Sequence, residues 1–170
     1  MQNKKTVKFD LDGYEVVKDA ILEIINQSPL IPEKEKVLFG VLGEKNGFAM
    51  IPTSSSVVES EKKDIIGNVT EICYYPFSLI YRSTGLNEKR KSEIVEMLDN
   101  IGKYLEKKEI FAYGENYKLE EYPALTGNRK FVEINRVTNA YFANTYTDKS
   151  EDWEIRIIAR YEIKYNKNNR

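Results

Sequence analysis

Few side chains in this sequence have the chemistry of a catalytic or metal-binding group. The 170 residues include no histidine, which excludes Ser-His-Asp and Cys-His catalysis, histidine-ligated zinc and imidazole pH switching. The single cysteine, Cys73, lies in the apolar run ICYY, where burial raises a thiol pKa and suppresses its reactivity. One cysteine forms no internal disulfide and no multi-cysteine metal site, and it fits a reducing cytoplasm. Two carboxylates near the N-terminus, Asp10 and Asp12, remain as candidates.

Residues 9–13, FDLDG, resemble the first motif of the haloacid-dehalogenase-like phosphatases. The resemblance implies a nucleophile at Asp10, an acid/base at Asp12 and a magnesium ion beside them. This chemistry is reasonable, because a carboxylate can accept a phosphoryl group when a cation screens the charges. A phosphatase is therefore the one enzyme function that the sequence suggests.

The surroundings of this motif differ from the family pattern. Residues 4–8, KKTVK, are not a buried apolar strand, and Tyr14 stands where the family prefers a small residue such as threonine. No later acidic pair follows an apolar strand, and the pair that comes closest to this pattern, Glu151 and Asp152, opens a strand instead. We therefore expect an acidic turn that caps the first helix, and no catalytic, metal or cofactor site.

Charge and length limit the classes of partner. The chain carries 26 basic and 27 acidic residues, a net charge of -1, which argues against a basic nucleic-acid module and against sequence recognition of nucleic acid. No stretch approaches the ~20 apolar residues that span a bilayer, and residues 1–8 lead into no apolar segment, so we expect neither a membrane span nor a secretory signal. The length predicts one domain, residues 1–165, followed by a disordered tail, residues 166–170.

Two amphipathic helices are predicted. The first has an apolar stripe with Asp12 as its N-cap, and residues 28–29, Ser-Pro, end it. The second spans residues 88–108 with Asn87 as its N-cap. The stripe of the first helix consists of Val17, Ala20, Ile21, Ile24 and Ile25, and that of the second consists of Ile94, Leu98, Ile101 and Leu105.

Strands are predicted between the two helices. Residues 37–41 and 48–51 are short apolar runs, and Asn46 with Gly47 between them gives a hairpin-type turn. Residues 52–67 are mostly polar and predict an exposed loop. Residues 69–82 alternate as a strand does, with a bulge or a sheet edge expected at Pro76, which cannot donate a backbone hydrogen bond.

After the second helix the sequence predicts a long connection over residues 113–130 and an extended segment with a bulge over 131–141. A turn over 145–150 precedes the clearest pattern in the chain, a half-buried antiparallel strand at residues 153–165. Its apolar face consists of Trp153, Ile155, Ile157, Ala159, Tyr161, Ile163 and Tyr165, and its polar face of Glu154, Arg156, Arg160, Glu162 and Lys164, with Ile158 as the exception.

The strands are grouped rather than alternating with helices. This order predicts an α+β fold, with one antiparallel β-sheet and two helices packed on one face. We expect the second helix to pack its apolar stripe on Trp153, Ile155, Ile157 and Tyr161, because neither surface is stable in water.

The order of elements resembles the tail terminator proteins of long-tailed bacteriophages, which are also known as minor capsid or tail-completion proteins. An early helix is followed by a short strand and a Gly-rich turn over residues 37–51. The strand YYPFSLIYR, residues 74–82, leads directly into the long helix 88–108. The segment NRKFVEI, residues 128–134, follows a Tyr-Pro connection, and the closing strand begins WEIRI, residues 153–157.

This resemblance implies a structural virion protein without catalysis or a cofactor. Six copies would form a ring at the head-proximal end of the tail, end polymerisation of the tube and join the tail to the neck. The implied partners are further copies of the chain, the tail tube protein and the neck or connector protein. The implied location is the virion tail or neck, after assembly in the host cytoplasm.

Four charged residues of the closing strand are the candidate subunit or partner contacts: Glu154, Arg156, Arg160 and Glu162. They would pair between subunits or line the lumen of a ring, and the alternative is a solvated sheet face. Residues 52–67 and 110–130 are candidates for ordering on assembly. The alternative functions are another non-enzymatic adaptor or connector, and the phosphatase using Asp10 and Asp12.

Overall fold

The computed structural model describes residues 6–169, so residues 1–5 of the predicted domain and residue 170 of the predicted tail lie outside the described residues. Within that range the helices are α1 Gly13–Gln27 and α2 Glu88–Leu105, with a final 3-10 turn at Lys167–Asn169. The strands are β1 Leu38–Phe39, β2 Gly47–Pro52, β3 Val57–Lys63, β4 Asn68–Ser83, β5 Ile110–Ala112, β6 Glu115–Tyr117, β7 Arg129–Arg136, β8 Tyr141–Thr145 and β9 Glu151–Asn166.

The centre of the main sheet is the pair β4 and β9, which run antiparallel over 16 residues each. β2 and β3 share the other edge of β4, and β7 and β8 share the other edge of β9. β1 adds in parallel to β2, while β5 and β6 form a separate hairpin. The predicted α+β class with a mostly antiparallel sheet is therefore confirmed.

One hydrophobic cluster joins the helices to the sheet. Its members on the helices are the predicted stripes of α1 and α2, apart from the half-buried Ala20 at its margin. On the sheet it takes alternate residues of β4 and β9, including Ile155, Ile157 and Tyr161, as the alternation predicted. Trp153 is half-buried against the margin of the cluster.

Both helix starts depend on a side chain, although not always the predicted one. Asn87 caps α2 as predicted, because its side chain accepts a hydrogen bond from the Arg90 N–H at 2.8 Å. Asp12 occupies the N-cap position of α1 without a side-chain capping bond. The carboxylate of Asp10 instead accepts from the Gly13 N–H at 3.1 Å.

α2 ends at Leu105, three residues before the predicted end. The Glu106 N–H still bonds to the Gly102 carbonyl at 3.1 Å, but Lys107 has a φ of +59°. This left-handed conformation ends a helix. The apolar stripe also ends at Leu105, so the sequence did contain a signal for this earlier end.

Pro76 lies inside β4 in an unbroken register, with Ile158 of β9 opposite it. Its carbonyl accepts from the Thr53 N–H at 3.0 Å, on the side where β2 ends and β3 has not yet begun. In an extended strand the nitrogen of a residue points to the same side as its carbonyl, so the missing donor faces this gap. The prediction of a bulge or an edge at Pro76 is confirmed as a local edge. The pairing of β2 with β4 ends at Phe77 and that of β3 begins at Tyr74, so no strand pairs with β4 on this side of Pro76, and there is no bulge.

Residues 52–67, predicted as a loop, contain the strand β3, which pairs with β4. β3 is exposed along most of its length, so its side chains carry no alternation of polar and apolar types. The predicted connection after α2 likewise contains the β5–β6 hairpin, whose turn residues Tyr113 and Gly114 have φ values of +52° and +80°. Positive φ at both central residues is the geometry of a tight hairpin turn.

The predicted extended segment 131–141 divides into β7 and β8, with a register shift between Phe131 and Glu133. The predicted bulge is present, but it brings Phe131 and Ile134 to the core and leaves Val132 exposed. The segment predicted as a disordered tail, 166–170, is ordered where it is described. Asn166 ends β9, and the Lys167 N–H bonds to the Gly67 carbonyl at 2.9 Å.

Candidate functional site

The alternation of β9 brings the four predicted contact residues to one surface of the main sheet, where β4 supplies their neighbours. The residues of β4 and β9 on this surface are half-buried or exposed, except for the buried Ser78. The residues between them along each strand, on the other face, are buried. We call this surface the open face. Its members on the two central strands are Ile72, Tyr74, Pro76, Ser78, Ile80, Glu154, Arg156, Ile158, Arg160 and Glu162.

At one end of the open face, Glu154 is the centre of a cluster of polar side chains. Its carboxylate accepts hydrogen bonds from Ser78 Oγ at 2.6 Å and from Arg156 Nε at 3.3 Å. The guanidinium of Arg156 lies 5.9 Å from the ring centroid of Tyr141 on β8. Arg156 is more than half exposed, so its remaining donors are accessible to another molecule.

Arg160 links strands on both sides of the central pair. It donates to Glu59 of β3 at 3.1 Å and 3.3 Å, and to Glu133 of β7 at 3.3 Å. Glu59 is the residue at the register shift of β3, and β4 lies between it and Arg160. The hydrogen bonds to Glu59 raise the pKa of Arg160, so the guanidinium stays charged. The arrangement fixes a positive group between two acidic ones at the surface.

Apolar side chains occupy the space between these ionic groups. Ile72, Ile80 and Ile158 are half-buried on the open face, and Glu162 pairs with Lys164 at 3.0 Å at its far end. A surface of this type, with apolar area inside a polar surround, has the composition of a protein–protein interface. The predicted contact residues therefore lie together on one surface of the sheet.

Asp10, the first candidate of the phosphatase motif, is a buried member of an ion pair. Arg129 of β7 donates to it through Nε at 2.9 Å and Nη2 at 2.7 Å, and the Tyr161 hydroxyl donates at 2.7 Å. Burial opposes ionisation of Asp10, yet the hydrogen bonds from Arg129 and Tyr161 hold the pKa of that carboxyl below its usual value. With the bond from Gly13, both carboxylate oxygens are occupied.

Asp12 has different surroundings from Asp10, because it is exposed. The later acidic candidate, Asp152, is buried on β9 and accepts two hydrogen bonds from Arg82 and one from Tyr146. Burial raises the pKa of the Cys73 thiol to about 12. Among residues 6–169 no three acidic, cysteine or histidine side chains lie close enough together to hold a metal ion.

Sequence reasoning missed the ion pairs between distant segments. Arg129 and Asp10 are 119 residues apart, and Arg82 and Asp152 are 70 apart. Nothing local marks such pairs, because each depends on which strands become neighbours. Sequence reasoning also missed the exposed apolar residues at the β3–β4 turn, Ile65 and Ile66, and at the β5–β6 hairpin, Phe111 and Tyr113. The pair of isoleucines within a charged stretch was a signal for the first of these.

Comparisons with known proteins found no matching family model and no matching curated sequence. No helix among the described residues combines the length and apolar character needed to cross a membrane. The site is therefore interpreted from its geometry and from the order of elements along the chain.

Proposed function

We propose that this protein is a structural subunit of a bacteriophage tail terminator. Six copies form a ring at the head-proximal end of the tail, end the polymerisation of the tube and join the tail to the neck. The subunit contacts its own copies, the tube protein and the neck protein, in a virion assembled in the host cytoplasm. The observation that carries the proposal is the open face, an accessible sheet surface that combines half-buried isoleucines with fixed ionic groups.

The chemistry of the open face supports assembly rather than catalysis. Arg160 and Arg156 are each held by neighbouring carboxylates or rings, so a partner meets a preformed pattern of charge. Preformed surfaces lose less conformational entropy on binding. When such a surface meets a different surface of the next copy, the contact is heterologous, and it closes into a ring if the rotation permits.

The placement of the helices on one face of the sheet is part of the proposal. Tyr14 of α1 packs edge-on against Tyr75 of β4, with ring centroids 5.5 Å apart. Gly102 of α2 lies beside Ile155 of β9. The pairing of β4 with β9 puts Tyr75 and Ile155 on the same face of the sheet, opposite the open face. Both helices then support the core and leave the open face for partners.

The contacts of Asp10 favour this proposal over the phosphatase alternative. A nucleophilic carboxylate needs a free oxygen directed at the phosphorus atom. Both oxygens of Asp10 are held by Arg129, Tyr161 and Gly13 instead. These hydrogen bonds of Asp10 connect the start of α1 to β7 and β9.

The test is the incorporation of variant subunits into phage particles. In the phage or prophage that encodes the chain, Arg160→Glu places a third acidic group between Glu59 and Glu133 on the open face, while the exposed Lys89→Glu on α2 is the matched charge reversal elsewhere. We expect immunogold labelling at the head-proximal end of tails for the wild type and Lys89→Glu, and loss of that label for Arg160→Glu. Equal labelling of both variants, or label elsewhere in the particle, would contradict the proposal.

A further inference from the structure

The turn between β3 and β4 exposes two adjacent isoleucines. Ile65 is 104% exposed and Ile66 is 65% exposed, the first being the most exposed large apolar side chain in the described part of the chain. We call this pair the apolar tip. Single exposed apolar residues are common, but two together at the end of a hairpin form a small projecting apolar surface.

The apolar tip is held in one conformation by hydrogen bonds. The carboxylate of Asp64 accepts from the backbone N–H of Ile66 at 3.0 Å and of Asn68 at 2.8 Å. Gly67 has a φ of +91°, which favours glycine, and its carbonyl accepts from the Lys167 N–H at 2.9 Å. The C-terminal segment thus supports the turn, and the isoleucines are presented in a fixed geometry. A fixed geometry lowers the entropic cost of docking.

Three lysines adjoin the apolar tip, beside the carboxylates of Glu61 and Asp64, and we call the three lysines the basic collar. They are Lys62, Lys63 and Lys167, and the adjacent ammonium of Lys63 lowers the pKa of Lys167, as neighbouring like charges do. Glu61 pairs with Lys63 at 2.5 Å but also with Lys8 at 2.9 Å, so one carboxylate is shared between two lysines. A partner for the tip should therefore be apolar at its centre and acidic at its rim.

The chain itself carries a groove of this kind. It has a volume of about 360 Å³ and lies between α2, the segment after α1 and the β5–β6 hairpin. Its apolar lining comes from Leu30, Pro32, Met97 and Ala112. Glu93 and Glu96 lie at its exposed rim, where Arg90 is the one lysine or arginine among the lining residues described.

The groove and the apolar tip lie near opposite ends of β4. Arg90 of the groove donates to the Tyr81 hydroxyl at 3.0 Å, near the C-terminal end of the strand. Asn68 begins the strand next to the tip, thirteen residues from Tyr81, which corresponds to about 43 Å at about 3.3 Å per residue. A contact between tip and groove therefore requires a second copy of the chain.

We propose that the apolar tip of one copy inserts into the groove of the next copy. Ile65 and Ile66 meet Pro32, Met97 and Ala112, while the basic collar meets Glu93 and Glu96. A contact between two different surfaces at opposite ends of a molecule is heterologous and repeats from copy to copy. The inference rests on the proposed function and deepens it, because it assigns residues to a second contact between neighbouring copies of the ring, beside that of the open face.

Cysteine cross-linking of the full chain tests the contact. The double variant Ile66→Cys, Met97→Cys places one thiol in the tip and one in the groove, and the buried Cys73 contributes none at the surface. After mild oxidation we expect a ladder of disulfide-linked multimers on a non-reducing gel. The matched control, Ile66→Cys with Leu11→Cys, pairs the tip with a position outside the groove that is more exposed than the half-buried Met97, and it should give no ladder. Equal products from both variants would overturn the proposal.

Charge reversal gives a second arm that does not depend on apolar packing. In the cross-linking background, Lys62→Glu with Lys63→Glu should lower the yield of the ladder several-fold. Adding Glu93→Lys and Glu96→Lys should restore it, since the complementarity is re-established with the signs exchanged. Failure of the second pair of substitutions to restore the ladder, in a chain that remains folded by circular dichroism, would overturn the proposal.

The same double variant separates this inference from the proposed function. If purified particles contain a ring of this protein by electron microscopy, but no tip-to-groove cross-link forms in them, the inference fails and the function stands. A cross-link from Ile66→Cys to the tube protein would likewise overturn it and assign the tip to the tube. Absence of any ring from the particles would overturn the function and the inference together.

Discussion

Asp10 is the residue at which two interpretations of the sequence make opposite predictions. If its role is the ion pair with Arg129, Asp10→Asn leaves a nearly buried guanidinium without its counter-charge. Breaking one partner of such a pair costs about 3–5 kcal/mol of unfolding free energy. Urea unfolding at pH 7 measures this change, and we expect Asp10→Asn to lie near that range.

Asp12→Asn is the matched control for that measurement. Asp12 is exposed and makes no side-chain capping bond to α1, so its substitution should change the unfolding free energy by less than about 0.5 kcal/mol. The phosphatase hypothesis predicts instead that both substitutions abolish magnesium-dependent phosphatase turnover. Detection of such turnover in the wild-type protein, lost in either variant, would contradict the structural role.

A second carboxylate, Glu106 at the end of α2, gives a prediction of pH dependence. It accepts hydrogen bonds from the Arg136 backbone N–H and Nε at 3.0 Å and 2.9 Å, and it pairs with Lys108. Burial opposes its ionisation, but Arg136 and Lys108 lower the pKa of Glu106 to about 2. Its folded pKa lies below the unfolded value of about 4.3, so its contribution to stability is present above that pH and is lost as pH falls toward 2.

Glu106→Gln should therefore flatten the decline of unfolding free energy between pH 4.5 and pH 2. The measurement is urea unfolding of the wild type and the variant at several pH values in this window. The exposed Glu88→Gln on the first turn of α2 is the control, with a profile like that of the wild type. Parallel profiles for Glu106→Gln and wild type would show that Glu106 makes no such contribution.

At the scale of elements, β9 tests whether the two faces of the sheet have different roles. Ile157 is buried in the core, whereas its neighbour Ile158 is half-buried on the open face. Ile157→Ala should cost about 2–5 kcal/mol, because it removes packed methyl groups and leaves a cavity. Ile158→Ala should cost less than about 1 kcal/mol. Thermal or urea unfolding distinguishes the two, and an equal cost would mean that the open face is also packed within the monomer.

The elements that the sequence predicts well are those with one buried face. Residues of β9 and of both helices lie in turn in the core and at the surface. Apolar side chains therefore recur along their sequences with the period of a strand or a helix. β3 has no such period, since it is exposed on both faces and is held by backbone pairing with β4. Its composition is that of a loop. Pro76 indicated a local edge of β4, but the position of that edge depends on where two other strands end.

The same limit applies to the candidate site. The four predicted contact residues share a surface because strand alternation alone brings them there. The partners of Arg160 were not predictable, since Glu59 lies 101 residues away on a strand that had been interpreted as a loop. The groove near Met97 required the relative placement of α2, the segment after α1 and the β5–β6 hairpin.

At the scale of the whole molecule, the open face, the apolar tip and the groove are the contact surfaces of the proposed subunit. The near-neutral balance of 26 basic and 27 acidic residues fits a protein that associates through many local, complementary contacts rather than through one strong field. In the proposed ring, each copy contacts two neighbours and the end of the tube. Contacts made together in this way hold an assembly that single contacts would not.

The length of the tails tests the central claim most directly. The proposed function predicts that the tube polymerises without a terminator in particles produced without this protein, so electron micrographs should show tails of irregular and excessive length that are not joined to heads. Supplying the wild-type chain in trans should restore one uniform length and joined particles. Tails of uniform length that join heads normally in the absence of the protein would contradict the account.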